Sequence, residues 1–342
     1  MKNRLVIVIA ILVFGSVLCL GIDEEGEILL ADLSGMQLCL DGAPYYYWLA
    51  PENGRVLLKR PCVPVEEEDD YDVLVVWDED GHEIFERAPH LDIPGISGNK
   101  VYASTLLTPD RLVISVFRRA GGSWELGQYD ITRGELLSVI PTSPIRCRDL
   151  RGDEGGIIWC LGDNQSKRTD NQDYDLVYRF DHAGRLLGST LPRSAFLETP
   201  HPLSELKTQT GFGGFLPGEG ELRLWLPEIG ELISFNSKGE VADRMTLPTI
   251  DGQVKAWLVT APEEEIFAML VSGTDVGDPR TYTQALYRLA PDSGSWIPLQ
   301  DPPIQLPMRI RLAGADDEGL ILLDGESLRL LWYPLEGEAV SD

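Results

Sequence analysis

One pattern recurs along this chain at a nearly constant interval: an apolar run, a polar turn that ends in glycine, and a second apolar run. The segment DLVYRFDHAGRLLGSTLP, residues 175–192, is one copy. The turn glycines of the six copies are Gly81, Gly134, Gly184, Gly239, Gly294 and Gly337. Successive glycines are 53, 50, 55, 55 and 43 residues apart. A fixed period of this length is typical of a repeat architecture and constrains the fold more than any local motif does.

Each copy is preceded by a second pair of apolar runs around a turn. RCRDLRGDEGGIIWCLG in the third repeat and KAWLVTAPEEEIFAML in the fifth are examples. Valine, leucine, isoleucine and aromatic residues that flank such turns predict short antiparallel strands. Each repeat therefore predicts four strands, A to D, and no segment after Gly21 has a convincing helical period.

Six four-stranded units predict an all-β fold, the six-bladed β-propeller, in which radial closure removes free sheet edges. The last repeat is too short for a D strand, and we expect residues 25–41 to supply it and close the ring. The alternative is a seventh, partial blade built from this segment. We expect one domain, residues 22–342, with blades at residues 44–91, 99–144, 145–196, 210–248, 253–302 and 307–342.

The segment GELRLWLPEIGELISFNSKGEV, residues 220–241, combines a glycine-led strand, a short turn and a strand that ends in a Phe-Asn-x-x-Gly turn. EGEILLADLSGMQLCLDG (25–42) and LVYRFDHAGRLL (176–187) have the same form. These segments resemble the repeat of NHL-type six-bladed propellers, and the resemblance extends over nearly all of the chain from Ile22 onwards. It implies the fold and says little about function.

The segment from Met1 to Gly21 has the build of a secretory signal peptide. Lys2 and Arg4 precede an apolar run, and the small residues Cys19 and Gly21 suit cleavage before Ile22. We therefore expect a secreted or periplasmic protein with no other membrane insertion. The alternative is an uncleaved N-terminal anchor, although the run is short for a spanning helix of ~20 residues.

The chain is strongly acidic, with 55 Asp and Glu residues against 29 Lys and Arg and a net charge of −26. A nucleic-acid partner is disfavoured, because binding to phosphates requires positive charge. The partner classes that fit are a protein, a glycan or a small anion, and we expect a monomer.

The B–C and D–A loops of a propeller surround the mouth of the central channel, where ligands usually bind. Long B–C loops are expected in every second repeat, at residues 62–72, 162–175 and 272–283. They are either solvated surface or an acidic crown for a partner or Ca²⁺. None has the full EF-hand spacing, so we expect no cofactor and assign no metal. The D–A segment 192–210 either covers the mouth or is a surface excursion.

Basic residues stand at the expected starts of the A strands in an otherwise acidic chain. These residues are Lys100, Arg146, Arg148, Lys255, Arg309 and Arg311. Because A-strand starts converge on the channel mouth, together they would suit a carboxylate, sulfate or phosphate. The alternative is that each cation neutralises a neighbouring acidic loop.

The sequence has no Gly-x-Ser-x-Gly, His-Glu-x-x-His or P-loop motif, so we assign no catalytic residue. His82 and His182 are expected in C–D turns away from the mouth, and His90 and His201 in D–A loops. We therefore expect a module that binds a ligand at the channel mouth. The alternative is a propeller hydrolase, lactonase or lyase that acts in the channel.

Two cysteines in the third repeat are candidates for a disulfide. Cys147 and Cys160 lie six residues either side of a turn and are predicted to face each other on strands A and B. A disulfide and two buried thiols fit this placement equally well. Cys39 and Cys62 are a second candidate pair.

Overall fold

The structure is a computed structural model of the chain. It describes residues 28–32, 48–52, 55–62, 71–78, 82–153, 155–170, 172–196, 214–216, 222–227, 229–261, 265–275, 278–291, 293–300, 303, 305–315, 319–324 and 329–335. The expected signal peptide, Cys39, His201 and most of the D–A segment 192–210 lie outside these residues. Among the described helices, none is long and apolar enough to cross a membrane.

The described strands pair antiparallel throughout, and their bounds are as follows. The first strand is β1 (Ile28–Asp32). Blade one consists of β2 (Trp48–Glu52), β3 (Arg55–Cys62), β4 (Tyr71–Trp77) and β5 (Glu83–Arg87). Blade two consists of β6 (Ile96–Thr108), β7 (Arg111–Arg118), β8 (Ser123–Asp130) and β9 (Glu135–Pro141).

Three further sheets follow in the chain. Blade three consists of β10 (Ile145–Gly152), β11 (Ile158–Asn164), β12 (Asp175–Phe180) and β13 (Leu186–Pro192). Blade four consists of β14 (Gly214–Phe215), β15 (Leu222–Leu226), β16 (Glu231–Phe235) and β17 (Val241–Thr246). Blade five consists of β18 (Gln253–Thr260), β19 (Ile266–Gly273), β20 (Tyr282–Leu289) and β21 (Trp296–Pro298).

The last sheet is composite, because it joins strands from the two ends of the chain. It contains β22 (Ile310–Ala315), β23 (Gly319–Asp324) and β24 (Arg329–Pro334), and its order is β1-β24-β23-β22. Ile28 of β1 lies opposite Trp332 of β24. The N-terminal strand thus covers the edge of β24 that would otherwise be unpaired.

The blade count expected from the sequence needs correction at this sheet. Within the described ranges, five sheets are blades continuous in the chain, and the remaining four-stranded sheet is the composite one. The ring is therefore not built from six like blades: five complete blades are closed by a sheet that the two ends share. The seven-bladed alternative is also wrong, because β1 pairs with β24 and builds no partial blade of its own.

Helices are short in the described part of the chain. α1 is Pro89–Asp92, in the connection between blades one and two, and α2 is Gln165–Thr169, in the B–C loop of blade three. Single 3₁₀ turns occupy Arg193–Phe196 and Pro279–Thr281. The B–C loops are long after β3, β11 and β19 and short after β7, β15 and β23, so the expected alternation of loop length is confirmed.

The first strand of each of the five blades lies innermost, and β22 has this place in the composite sheet. β2 contacts β6, β6 contacts β10, β10 contacts β14, β18 contacts β22 and β22 contacts β2. The core lies between neighbouring sheets: Leu57 of blade one packs with Leu112 of blade two, and Trp159 of blade three packs with Ile233 of blade four. Both faces of the middle strands are therefore covered, which explains why consecutive residues of β7 and β8 are buried, including Ser115 and Gln128.

The recurring glycine is a conformational requirement of the C–D turn. In blade three, the Asp181 carboxylate accepts a hydrogen bond from the backbone N–H of Arg185 at 2.8 Å, and Gly184 closes the turn with φ +81°. In blade four, Asn236 takes the place of the aspartate and Gly239 has φ +84°. Glycine adopts this left-handed region without the steric cost of a Cβ atom, so the period in the sequence is a period of turns.

Candidate functional site

The starts of the innermost strands and the B–C loops lie at one end of the blades, which we call the mouth face. In blade three, Ile145 at the start of β10 pairs with Asn164 at the end of β11. Asp175 at the start of β12 pairs with Pro192 at the end of β13. The α2 loop and the chain leaving β13 therefore lie at the same end of the sheet as the start of β10.

The structure brings only part of the predicted basic set together. Arg146 and Arg148 share the carboxylate of Asp163 in their own blade. The other cations lie on other sheets. Lys100 is 3.7 Å from Asp72 of blade one, and Arg309 is 3.3 Å from Asp324 of the composite sheet. Lys255 is half-buried in β18, and Arg311 is exposed in β22. Of the six predicted cations, Arg146 and Arg148 are the two that share a partner in the contacts of the described residues.

Asp163 is the centre of this group, and its side chain is only 3% exposed. One carboxylate oxygen accepts from Arg146 and from Arg148, whose Nη2 and Nε are 2.9 Å and 3.2 Å away. Nη1 of Arg168 is 3.4 Å from the same oxygen, and the other oxygen accepts from the Gln165 amide. Three guanidinium groups therefore converge on a single buried carboxylate.

The convergence of Arg168 depends on α2. The Asn164 side chain caps the helix by accepting from the backbone N–H of Lys167 at 3.3 Å, and the Thr169 hydroxyl donates to the Gln165 carbonyl. One helical turn thereby directs Arg168 back towards Asp163. The sequence predicted this loop either as solvated surface or as part of an acidic crown. In the structure it also brings the positive charge of Arg168 to Asp163.

Arg193 completes the group from the 3₁₀ turn that follows β13. Its Cζ lies 5.6 Å from the ring centroid of Tyr174, which is 3% exposed. Burial and then the Asp163 carboxylate raise the pKa of Tyr174, and the charges of Arg193, Arg168 and Arg146 act in the opposite direction. The same charges therefore surround the Tyr174 hydroxyl. We call Arg146, Arg148, Arg168 and Arg193, with Asp163 and Tyr174, the arginine cluster.

Three buried donors in the arginine cluster have no acceptor in the structure. They are Nε of Arg146, Nε of Arg193 and the hydroxyl of Tyr174. Buried polar atoms are almost always hydrogen-bonded, so each exception requires an explanation. Guanidinium N–H groups and a phenolic O–H can all donate to the oxygen atoms of one anion.

An aromatic group on blade two adjoins the arginine cluster. Cζ of Arg146 lies 5.6 Å from the ring centroid of Trp124, at the start of β8. The Trp124 ring centroid is 4.7 Å from that of Tyr102 and 4.8 Å from that of Phe117. We call Tyr102, Phe117 and Trp124 the aromatic shelf.

A disulfide fixes the strand that carries Arg146 and Arg148. Cys147 and Cys160, both fully buried, are joined with their Cα atoms 5.3 Å apart. They do not lie directly opposite each other as expected, because β10 bulges after Cys147, which pairs with Gly162. The other proposed pair involves Cys39, which lies outside the described residues.

At the opposite face, a cavity of about 440 Å³ opens between blades two and three. Its lining residues are Leu107, Thr108, Asp110, Arg111, Asp130, Gly156 and His182. The carboxylate of Asp110 pairs with Arg55 at 3.1 Å and that of Asp130 with Arg133 at 3.8 Å, so both carboxylates of the lining already have a cationic partner. Within the described ranges, no group of three or more His, Cys, Asp or Glu residues is arranged to hold a metal.

The histidines lie apart from the arginine cluster. His82 and His182 are in C–D turns, and the ring of His90 packs at 4.5 Å against that of Tyr71. His201 lies outside the described residues. Residues 63–70 and 276–277 of the other two long B–C loops lie outside the described residues.

No protein-family model matches the chain, and no curated protein matches it. Among solved structures, the chain is similar to a Bacteroides fragilis protein described as exported, with a TM-score of 0.51 and 10% identity over 92% of this chain and 96% of that one. The chain folds as a β-propeller. It is also similar to a DUF4221 family member from Bacteroides vulgatus, with a TM-score of 0.49 and 10% identity over 87% of this chain and 95% of that one. Streptogramin B lyase is similar with a TM-score of 0.45 and 13% identity over 85% of this chain and 93% of that one. At these identities the similarity concerns the fold alone.

Proposed function

We propose that this propeller is an extracytoplasmic binding protein that captures a small anion at the arginine cluster. The observation that carries the proposal is the set of three buried donors without an acceptor: Nε of Arg146, Nε of Arg193 and the Tyr174 hydroxyl. A bound carboxylate, sulfate or phosphate would accept from them, and charge-assisted hydrogen bonds of this kind are roughly twice as strong as neutral ones.

The position of the cluster also supports binding. Arg146 is on the innermost strand and Arg168 is on a loop of the same face, so a ligand at the mouth would reach both. The Arg168 side chain is 39% exposed, whereas those of Arg146 and Arg148 are about 20% exposed. A ligand would therefore meet Arg168 first and the deeper arginines afterwards.

We also infer an extracytoplasmic location and an NHL-type repeat. The basic and apolar segment from Met1 to Gly21 and the Cys147–Cys160 disulfide support the location, since disulfides persist in oxidising compartments. The turns in which Asp181 and Asn236 accept from the backbone support the repeat type, because this is the turn that the resemblance implies.

The test is ligand-dependent stability of the full chain. Acetate, sulfate, phosphate and glucuronate are each added, and the melting temperature is measured, because a ligand that binds only the folded state raises it. At least one anion is expected to stabilise the wild type, with an effect that falls as ionic strength rises. No shift with any of the four would overturn the proposal.

Arg146→Gln is the decisive variant, and Arg55→Gln is its matched control. Both arginines are about 20% exposed and pair with an aspartate, but Arg55 lies at the opposite face. Loss of a charged donor costs about 1.5–3 kcal/mol, so Arg146→Gln should weaken anion binding roughly 10- to 100-fold. Arg55→Gln should bind as the wild type does. Equal losses in the two variants would contradict a site at the cluster.

A further inference from the structure

We propose that the anion is the acidic group of a ring-bearing molecule, whose ring rests on the aromatic shelf while its charge enters the arginine cluster. This inference rests on the proposed function and adds the body of the ligand to it. It follows from how the two groups of residues are joined, how the shelf is exposed and where the nearby charges lie.

Arg146 connects the shelf with the cluster. Its guanidinium donates to Asp163 and also lies 5.6 Å from the Trp124 ring centroid. Cation–π contact of this kind fixes the plane of the guanidinium relative to the ring. An anion that accepts a hydrogen bond from Nε of Arg146 is thus held beside the Trp124 ring, at the boundary between blades two and three.

The accessible part of the shelf belongs to Tyr102 and Phe117. Trp124 is 8% exposed and serves as the floor, whereas Tyr102 and Phe117 are half-buried. Tyr102 is in the middle of the innermost strand β6, directly after Val101, which pairs with Val116, so it lies next to Phe117 near the end of β7. Both side chains are therefore partly exposed towards the mouth end of blade two.

The charges next to the shelf favour a ligand with one charged end. Arg118, the neighbour of Phe117, pairs with Glu125 at 2.9 Å, and Lys100, near Tyr102, pairs with Asp72. Each of these pairs is neutral overall, so together they add no net charge beside the shelf on the side away from Arg146. A molecule with an acidic group at one end and an uncharged ring at the other matches this division, because aromatic side chains stack on ring faces and arginine binds the acid.

The experiment compares acids that differ in the body attached to the carboxylate. Acetate has no ring, benzoate has an aromatic ring, and glucuronate has a sugar ring. Affinities of the full chain are measured by ligand-observed NMR titration at constant ionic strength. At least one ring acid is expected to bind up to about tenfold more tightly than acetate, from stacking on the shelf. The ring acid that gains more identifies the ring class.

Variants of the shelf separate this inference from the proposed function. Phe117→Leu keeps the apolar bulk but removes the ring face, and Tyr102→Leu does the same on β6. Each should reduce the advantage of the ring acid and leave acetate binding unchanged, whereas Arg146→Gln should weaken all three acids. If acetate binds as tightly as both ring acids, or if the preference survives in both leucine variants, the inference is wrong and the anion site stands. If none of the acids binds, the proposed function fails first.

Discussion

Two buried tyrosines of blade three, Tyr174 and Tyr178, illustrate how neighbours decide the role of a hydroxyl group. Neither hydroxyl has a hydrogen-bond partner in the structure, and burial raises both pKa values. Tyr174 is surrounded by arginines that would also hold an anion. The charges that act on Tyr178 are those of Asp175 and Asp163, which raise its pKa further. The hydroxyl of Tyr174 therefore suits a ligand, and that of Tyr178 is an energetic cost.

Tyr178→Phe is accordingly expected to raise the free energy of unfolding by about 1 kcal/mol, because an unpartnered buried hydroxyl costs roughly 1–3 kcal/mol. The folded-state pKa of Tyr178 is raised above the ordinary value of 10.0. Ionisation of Tyr178 therefore has no effect on stability below pH 10. Above pH 10 the unfolded chain ionises while the folded chain does not, so the wild type loses stability as the pH rises towards the folded-state pKa. The advantage of the variant should grow above pH 10. Urea denaturation at pH 8 and pH 11 measures both effects, and a destabilised variant would mean that the hydroxyl has a partner.

At the scale of elements, the strands could be predicted and the site largely could not. The C–D turns follow local rules: Gly184 and Asp181 form their turn through contacts within five residues, which the sequence displays directly. The helix α2 has five residues, too few for a hydrophobic period, and it depends on the Asn164 cap. Arg168 reaches Asp163 only because that helix folds the loop back. The sequence of this acidic segment therefore did not indicate where the Arg168 side chain lies.

The cluster shows the same limit between elements that are distant in sequence. Arg146 and Arg148 were candidates because they stand at a strand start, and both pair with the carboxylate of Asp163. Arg193 gave no signal, since its contact with Tyr174 requires β12 and β13 to pair first. Asp175 and Pro192 are 17 residues apart in the sequence, and their pairing in the folded sheet is what brings Arg193 beside the cluster.

The disulfide between β10 and β11 should stabilise both strands of the cluster. The bridge closes a loop with a sequence separation of 13 residues. A constraint of this size on the unfolded chain is worth about 3 kcal/mol. Replacement of Cys147 and Cys160 together by alanine is expected to lower the free energy of unfolding by about that amount and to weaken anion binding, because Cys147 lies between Arg146 and Arg148. Reductant should destabilise the wild type more than the variant. Equal stability of the two proteins would show that the bridge does not form.

At the scale of the whole molecule, buried polar side chains link several neighbouring blades. The Asp72 carboxylate of blade one accepts from the backbone N–H of Val101 in blade two at 2.7 Å, and Asp149 of blade three accepts from Phe215 of blade four at 2.7 Å. The Gln284 amide of blade five donates to the carbonyl of Ile310 in the composite sheet at 2.8 Å. Such bonds fix neighbouring blades where the apolar layers alone would allow sliding.

Closure of the ring depends on the short strand β1. β1 is the element that ties the N-terminal part of the chain to the sheet of β22–β24. Without it, β24 would expose an unpaired edge, and among the described strands the contact of the composite sheet with blade one would depend chiefly on the innermost strands β22 and β2. A net charge of −26 adds self-repulsion, which favours an open ring.

Replacement of Ile28–Asp32 by a glycine-serine segment of equal length tests this dependence, with replacement of Trp296–Pro298 in β21 as the control. Both changes remove an outermost strand, but blade five remains tied to the chain at both ends, whereas the composite sheet loses its N-terminal strand. Loss of the backbone hydrogen bonds of β1 should cost on the order of 3 kcal/mol. The β1 variant should also show a larger radius of gyration in X-ray scattering, and added salt should reduce the difference by screening the repulsion. If the two replacements have equal effects on stability and size, pairing of the chain ends does not hold the ring closed.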